Sequence, residues 1–384
     1  MKRRSFLTKL GAGVAAGSVA APAIAQQQPS IQWRMASSFP KNLDALFGAA
    51  EQISRRVAEL TEGRFQIRVA AAGELVPPLQ VLDATQAGTV ECCHTAPYYY
   101  VGKDPAFAFG TAVPFGLNAR QQNAWKYFGG GNEAMALLYK DYGVLGFPAG
   151  NTGTQMAGWY RKEIKTVADL KGLKMRIAGL AGQVLARLGA VPTQIPAGEI
   201  YPSLERGAID AAEWVGPYDD ERLGLYKVAK FYYYPGWWEG SAELTFFVNE
   251  KKWAELPKHY QAALESACAE ANALMLAKYD ARNPEALRKL IGEGAELRAF
   301  PRPVMEAALK AANELYDELS AKSPHWKRIY EQWRKFRSDQ FLWFRVAESS
   351  YDNFAFAGVP ASERAAEAAR SSAKGAAKGA VKSR

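Results

Sequence analysis

The chain is 384 residues long, 48% of them hydrophobic, with a net charge of +9. That charge lies at the ends: residues 1–25 carry four basic and no acidic groups, and residues 361–384 carry a net charge of +4, which leaves +1 for the body between them. A near-neutral body of this length predicts two lobes and lacks the basic face that nucleic-acid binding requires.

The first 25 residues have the pattern of an export signal. A basic start is followed by an apolar run at residues 10–21 and by the small residues Ala23 and Ala25, which suit signal peptidase. Arg3 and Arg4 lie in Arg-Arg-Ser-Phe-Leu, the twin-arginine form; an ordinary secretory signal with two arginines is the alternative. We therefore expect a periplasmic protein whose mature chain begins at Gln26.

The body alternates strand and helix patterns. In its first half, predicted strands at residues 31–36, 65–69 and 89–94 flank predicted helices at residues 42–60 and 79–86. In its second half, a capped turn at residues 166–172 precedes strands at 173–177, 194–196 and 208–214 and helices at 182–188 and 199–206. This order is typical of α/β layers with a parallel core.

Two stretches share one plan. LDATQAGTVECCHTAPY begins at Leu82 and LERGAIDAAEWVGPY begins at Leu204. With Gly88 aligned to Gly207, His94 falls opposite Glu213, each at the carboxyl end of a predicted strand of small residues. Ligands of α/β folds bind at such strand ends, so we expect both side chains at the rim of one cleft between the lobes.

Beyond residue 240 the pattern becomes mainly helical. A strand at residues 245–249 precedes a long helix at 251–281, a break near Asn283 and Pro284, and helices at 285–291 and 302–319. Residues 324–354 form a helical segment rich in aromatic side chains, which predicts packing against either the chain's own core or a partner subunit. Residues 361–384 are rich in Ala, Lys, Gly and Ser, and we expect a disordered basic tail.

Four side chains suggest chemistry of their own. Arg176 could clamp a carboxylate with its planar fork, or it could form a surface ion pair. Glu213 could be a general acid or base, a metal ligand, or a buried partner of Arg176. Asn151, Gln155 and Glu213 together offer hard oxygen atoms, which suit Na⁺ or Ca²⁺ better than Zn²⁺.

Two aromatic clusters, at residues 98–100 and 237–238, could line the cleft or belong to the core. We include Tyr100 among the candidate substrate-binding residues. Three scattered histidines and three cysteines without a Cys-x-x-Cys motif predict neither a zinc site nor a disulfide framework.

Four stretches carry a family resemblance: ADLKGLKMRIAGLAG, LGAVPTQIPAGEIYPSLERGAIDAAEWVGPYDD, HTAPYYYVGKDPAFAFGTAVPFG and YYYPGWWEGS. Through them, residues 31–356 resemble the solute receptors of TRAP transporters, the tripartite ATP-independent periplasmic family, and most of all the branch that binds 2-oxo acids such as pyruvate. The resemblance implies a two-lobe periplasmic binding fold with a hinge, no redox cofactor and no catalysis. It also implies delivery of a small 2-oxo or 2-hydroxy monocarboxylate to membrane subunits.

The resemblance also implies individual roles. Arg176 would pair with the solute carboxylate, while Gln155, Glu213 and the backbone carbonyl of Trp214 would hold a bridging cation, Na⁺ or Ca²⁺. The remaining pocket residues would be His94, Thr95, Ala96, Asn151, Trp214 and Glu239.

Lobe boundaries follow from the same resemblance. Lobe I would span residues 26–151 with part of 240–290, and lobe II residues 152–239 with part of 290–323. Residues 324–357 would be exchanged between the subunits of a homodimer. An exported oxidoreductase or other enzyme, and a receptor of the same fold for aromatic acids or dicarboxylates, are the alternatives. The sequence lacks the cofactor and nucleophile motifs that the enzyme alternative needs.

Overall fold

The computed structural model describes residues 29–358, so the predicted signal peptide, the predicted start at Gln26 and the basic tail at 361–384 lie outside the described residues. The first strand, β1 (Ile31–Ser37), forms because its side chains alternate: Gln32 and Arg34 are exposed, whereas Trp33 and Met35 are buried. The buried side chains join one hydrophobic cluster with the apolar stripe of helix α1 (Leu46–Leu60), which includes Ile53 and Val57.

A five-stranded sheet forms the centre of the first lobe, which we call lobe I. Its strand order is β2 (Phe65–Ala70), β1, β3 (Cys92–Thr95), β10 (Glu243–Asn249) and β4 (Val144–Asn151). The predicted parallel arrangement is found for β1 with both β2 and β3. β10 is antiparallel to β3 and β4, because the chain returns from the second lobe when it forms this strand.

The helices around this sheet are short except for one. They are α2 (Val81–Gln86), α3 (Ala119–Phe128), α4 (Gly131–Lys140), α8 (Glu250–Ala254) and α9 (Lys258–Gly292). The predicted break near Asn283 and Pro284 is wrong, since α9 continues through the proline. Buried residues on both sides of Pro284, among them Tyr279 and Leu290, explain this, because tertiary packing outweighs the single hydrogen bond that proline removes.

A six-stranded sheet forms the centre of the second lobe, lobe II. Its order is β11 (Glu296–Ala299), β9 (Phe231–Tyr234), β5 (Trp159–Tyr160), β8 (Ala211–Ala212), β6 (Lys174–Arg176) and β7 (Val191–Thr193). The helices α5 (Gly179–Arg187), α6 (Ala197–Glu205), α7 (Pro217–Leu223) and α10 (Arg302–Lys322) pack in and beside this lobe. The strand predicted at residues 194–196 is wrong: the strand lies at β7, and Pro196 is the N-cap of α6.

Three of the segments that connect the lobes within residues 29–358 form the hinge. Residues 152–158 and 235–242 run side by side between the sheets, with backbone hydrogen bonds from Thr152 N to Ala242 O (3.0 Å) and from Gln155 N to Glu239 O (3.1 Å). Helix α9 is the third segment, because it packs against α1 and β4 in lobe I and against α7 in lobe II. Two hydrogen-bonded connecting segments beside a long helix form a hinge of limited freedom.

The predicted aromatic segment divides into two parts. The first turns of α11 (Pro324–Phe344) bury Trp326, Ile329, Tyr330 and Trp333 against lobe I, where the Trp326 ring centroid lies 4.5 Å from that of Phe109. A π-helical turn at Arg345–Ser349 then leads into α12 (Ser350–Ala357). The large apolar side chains from residue 341 onward are exposed: Phe341, Leu342, Trp343, Val346, Tyr351, Phe354 and Phe356. Among residues 29–358, no helix has the length and hydropathy required to cross a membrane.

A buried ion pair fixes the return strand β10 in lobe I. Lys126 Nζ of α3 lies 3.2 Å from Glu243 Oε1, and both side chains are almost completely buried. Burial raises the pKa of Glu243, and the charge of Lys126 opposes that rise. Removing one partner from a buried pair leaves an uncompensated charge, so this contact is sensitive to single substitution.

We therefore expect Lys126→Met to lower the free energy of unfolding by about 3 kcal/mol. The control Lys310→Met disrupts an exposed pair with Glu314 at 3.9 Å and is expected to cost less than about 0.5 kcal/mol. Urea denaturation of both variants measures the difference, and equal losses would contradict the importance of the buried pair.

Candidate functional site

The carboxyl ends of two strands bring the aligned residues to the space between the lobes. His94 lies at the end of β3, and Glu213 directly follows β8. In both aligned stretches, a glycine with left-handed backbone follows the helix: Gly88 and Gly207 each have φ of 71°. Phe39, which follows β1, packs near both strand ends. Its ring centroid is 5.8 Å from that of His94 and 6.5 Å from that of Trp214.

Arg176 is at the centre of the lobe II side. It ends β6 and is 1% exposed, so the surface ion pair considered from the sequence is excluded. Its Nη1 donates to the Glu213 carbonyl (2.5 Å) and lies 3.3 Å from Glu213 Oε2, while its Nε donates to Ile195 O (3.1 Å). Its guanidinium carbon is 4.7 Å from the Trp214 ring centroid, which holds the planar fork in one orientation.

Two carboxyl groups share this positive charge. Burial, and then the charge of Glu239, raises the pKa of Glu213 well above its usual range, while Arg176 acts in the opposite direction. Burial raises the pKa of Glu239 to about 8, against Arg176 and Tyr98, which lower it. One arginine is therefore insufficient for two carboxylates, and a further positive charge would stabilise their ionised forms.

Several side-chain oxygen atoms of the predicted site residues are buried and have no hydrogen-bond partner within the described residues: Gln155 Oε1, Glu213 Oε1, Glu239 Oε1 and Glu239 Oε2. Buried polar atoms of this kind need a partner, and hard oxygen atoms are the ligands that Na⁺ and Ca²⁺ prefer. No group of three His, Cys, Asp or Glu side chains suited to a metal occurs in residues 29–358. The donor set, with an amide among its oxygens, fits a hard cation rather than Zn²⁺.

The remaining predicted residues differ in their position. Ala96 lines the cavity, and His94 is completely buried with its Nε2 3.0 Å from Ala149 O. Thr95 Oγ1 is 2.7 Å from Ser38 Oγ, and Asn151 Oδ1 accepts a hydrogen bond from Gly153 N (2.9 Å).

Tyr100 and the two tryptophans point elsewhere. The Tyr100 hydroxyl accepts from Leu82 N (3.3 Å), and its ring packs against Phe107 in the lobe I core. Trp237 stacks on Phe115 with centroids 5.1 Å apart, and Trp238 is also buried in the core. The aromatic wall of the cavity is formed instead by Tyr98 and Tyr99.

The cavity between the lobes is closed, with about 10 Å³ of free space. Its other lining residues were not predicted from the sequence: Phe39, Leu46, Thr152, Val215, Ala242 and Leu244. Phe39 could have been found, because it too follows the carboxyl end of a strand, whereas Leu46 and Leu244 look like ordinary core residues. A solute enters such a cavity only when the hinge opens.

Comparison with known proteins gives the site a family context. Residues 36–323 match the family model described as bacterial extracellular solute-binding protein, family 7. The chain is 54% identical to a monocarboxylate 2-oxoacid-binding periplasmic protein of Nostoc sp., over 92% of this chain and 99% of that protein.

Two solved structures share the whole fold. A TRAP transporter solute-binding protein of Bordetella bronchiseptica is 55% identical, with a TM-score of 0.86 over 88% of this chain and all of that one. It is a mixed-occupancy dimer with copurified calcium and picolinate in the active site. A TRAP periplasmic solute-binding protein of Pseudoalteromonas atlantica, with bound sodium and pyruvate, is 42% identical, with a TM-score of 0.82 over 84% of this chain and 98% of that one.

The burial of His94 predicts a pH-dependent stability. Complete burial lowers the pKa of His94 to about 4, so the unfolded chain binds a proton that the folded chain excludes. The stability due to neutral His94 is fully present above the unfolded pKa of about 6.5 and is lost as the pH falls toward 4, by up to about 3 kcal/mol.

His94→Gln keeps a donor for Ala149 O and removes this titration. The difference in unfolding free energy between the parent and the variant should therefore decrease from pH 7 to pH 4.5 in parallel denaturant titrations. A difference that stays constant over this range would contradict the neutral buried histidine.

Proposed function

Since the chain belongs to the bacterial extracellular solute-binding proteins of family 7 and is a solute-binding protein of the TRAP type, we propose that its cleft binds a small 2-oxo monocarboxylate such as pyruvate together with a cation. The observation that carries the proposal is the completely buried Arg176 beside partnerless oxygens of Gln155 and Glu213. Arg176 supplies the positive charge that pairs with the solute carboxylate.

Charge balance favours the cation. Arg176 and a monovalent cation contribute two positive charges, and Glu213 and the solute contribute two negative charges, so the closed cavity is neutral. Without the cation, a carboxylate would enter a buried space that already contains Glu213 and Glu239 beside a single arginine, at a cost of several kcal/mol. Gln155, Glu213 and the carbonyl of Trp214 would hold the cation, which would supply the second positive charge beside the solute.

The other predicted residues complete the pocket. His94, Thr95, Ala96, Asn151, Trp214 and Glu239 surround the solute in this proposal. Protonated Glu239 would donate a hydrogen bond without adding negative charge. Neutral His94 donates from Nε2 to Ala149 O and would offer its Nδ1 as an acceptor, and Ala96 leaves room close to the strand end. Tyr100 supports this wall from the core through the 3.3 Å contact of its hydroxyl with Thr95 Oγ1.

The solutes of the two structural relatives support one chemical class. Picolinate and pyruvate look unlike each other, yet each has a carboxylate with a donor atom on the adjacent carbon. Both therefore chelate a cation in the same five-membered ring. We infer that this α-donor carboxylate unit is what the site recognises, and that Na⁺ and Ca²⁺ both fit it.

A receptor role fits this chemistry better than catalysis. The family is one of binding proteins, and the cleft would release its solute unchanged to the membrane subunits of a TRAP transporter. The export signal with Arg3 and Arg4 would deliver the folded protein to the periplasm by the twin-arginine route.

A thermal-shift and calorimetric panel on the metal-stripped mature protein tests the proposal. We expect pyruvate, longer 2-oxo acids and picolinate to raise the melting temperature only when Na⁺ or Ca²⁺ is present, because a ligand of the folded state stabilises it by mass action. C4-dicarboxylates should have little effect. If no acid raises the melting temperature with either cation, the proposed function is wrong.

Glu213→Gln tests the role of the Glu213 carboxylate in holding the cation. It keeps the side-chain shape but removes the charge that holds the cation, so we expect solute affinity to fall at least about tenfold, equivalent to 1.4 kcal/mol. The increase in solute affinity on addition of the cation should also be smaller in this variant. Glu51→Gln, on the exterior groove of α1, is the control and should leave both unchanged.

We also propose that the exposed apolar part of α11 and α12 packs on a second copy of the chain. A continuous run of exposed Trp, Tyr and Phe side chains is unusual on a monomer and typical of an interface. The dimeric Bordetella relative supports this partner.

Trp343→Glu with Phe354→Asp should therefore convert a dimer into a monomer, measured by size-exclusion chromatography with light scattering. Leu60→Asp, at an exposed position on α1, is the control and should stay dimeric. A parent protein that is monomeric at micromolar concentration would contradict this interface.

A further inference from the structure

Outside the solute cavity, one carboxylate joins the two lobes directly. Asp44 lies in lobe I, just before α1, and both of its lobe II partners are on α7. The Tyr218 hydroxyl donates to Asp44 Oδ2 (3.1 Å), and Arg222 Nε lies 3.2 Å from Asp44 Oδ1. These contacts span the boundary between the two lobes.

The partners of Asp44 are already ordered. Arg222 lies over the Tyr218 ring at 3.6 Å and donates from Nη1 to the Tyr218 carbonyl (3.0 Å). On α9, Lys278 Nζ lies 2.8 Å from both Asp44 Oδ2 and the Asp44 carbonyl. Because Arg222 and Tyr218 hold each other within α7, their contact with Asp44 costs little additional rotamer entropy.

The cluster is linked by the chain to the solute cavity. In lobe I, Phe39 lies a few residues before Asp44; in lobe II, Trp214 lies a few residues before Tyr218. Phe39 and Trp214 contact each other across the cleft, so the polar cluster and this ring contact close in the same movement.

We propose that Asp44 is a positioning residue that latches the closed cleft and thereby sets how long a bound solute is retained, without contacting the solute. This inference rests on the proposed function only in requiring a cleft that opens and closes. Neither Asp44 nor Arg222 lines the solute cavity.

The latch is charged at neutral pH and sensitive to salt. Partial burial alone would raise the pKa of Asp44, but Lys278, Arg222 and Tyr218 outweigh it and lower that pKa. Asp44 and Lys278 also line a groove of about 380 Å³ between α1 and α9, and the Asp44 side chain is 46% exposed. Water and ions reach the cluster, so each contact is weak and is screened as salt rises.

Stopped-flow dissociation of pyruvate, in the presence of Na⁺, tests the latch. Asp44→Asn should raise the dissociation rate roughly three- to tenfold at low salt, with little change in the association rate. The difference from the parent should diminish in 1 M salt. Glu51→Gln, on the same groove, should dissociate like the parent.

A double-mutant cycle separates a latch from a general loss of stability. If Asp44 and Arg222 act together, Arg222→Gln should add little to the effect of Asp44→Asn. Unchanged dissociation in Asp44→Asn, or fully additive effects, would overturn the proposal.

The test does not depend on the identity of the solute. If the parent binds none of the acids, the proposed function fails on its own. The latch is then tested by the distance between a fluorophore pair on the two lobes of the solute-free protein. Asp44→Asn should shift that distance toward the open state, and an unchanged distribution would overturn the latch.

Discussion

The burial of Arg176 is the constraint from which the rest of the site follows. A guanidinium removed from water must be matched, and here it is held by the Glu213 carbonyl and carboxylate and by Ile195 O. These groups converge because β6 and β8 are parallel neighbours whose carboxyl ends meet at one edge of the sheet. The second acid, Glu239, comes from a connecting segment between the lobes. In the proposed function, the charges would balance only when lobes, cation and solute are together, which would couple binding to closure.

The connection between the lobes suits this coupling. Residues 152–158 carry Gln155, which lines the cavity, and residues 235–242 carry the buried acid Glu239, so both polar side chains lie on the hinge itself. The hydrogen bond between their backbones, from Gln155 N to Glu239 O, keeps them in register while the sheets rotate. A cation held by Gln155 would thus sense the hinge directly. Helix α9 limits the same movement, because it remains packed on both lobes through the unbroken turn at Pro284.

Much of this arrangement could be predicted from the sequence. Some signals are local in the sequence. They are the alternation of polar and apolar side chains in β1, the glycines that end helices at Gly88 and Gly207, and the polar residues at strand ends. The last two signals identified His94 and Glu213. Three other features depend on which distant segments pack together. They are the antiparallel position of β10, the continuity of α9 through Pro284 and the packing of Tyr100 in the lobe I core. The same is true of the Lys126–Glu243 pair and of Asp44, whose partners lie far away in sequence. The sequence alone therefore predicts which residues lie at strand ends, but it does not predict which residues distant in sequence contact each other.

In the proposed function, different parts of the cavity would recognise the functional groups of the solute and its size. In the proposed function, Arg176, Glu213 and Gln155 would form one polar corner that recognises a carboxylate and its neighbouring donor atom. The opposite wall is apolar and is formed largely by Phe39, Leu46, Leu244, Tyr98 and Tyr99. A substituent on the solute meets only this wall, where each additional methylene changes affinity modestly through the apolar area it buries. Related receptors can therefore differ in the size of the acid they accept, through substitutions in the apolar wall, while keeping the same polar corner.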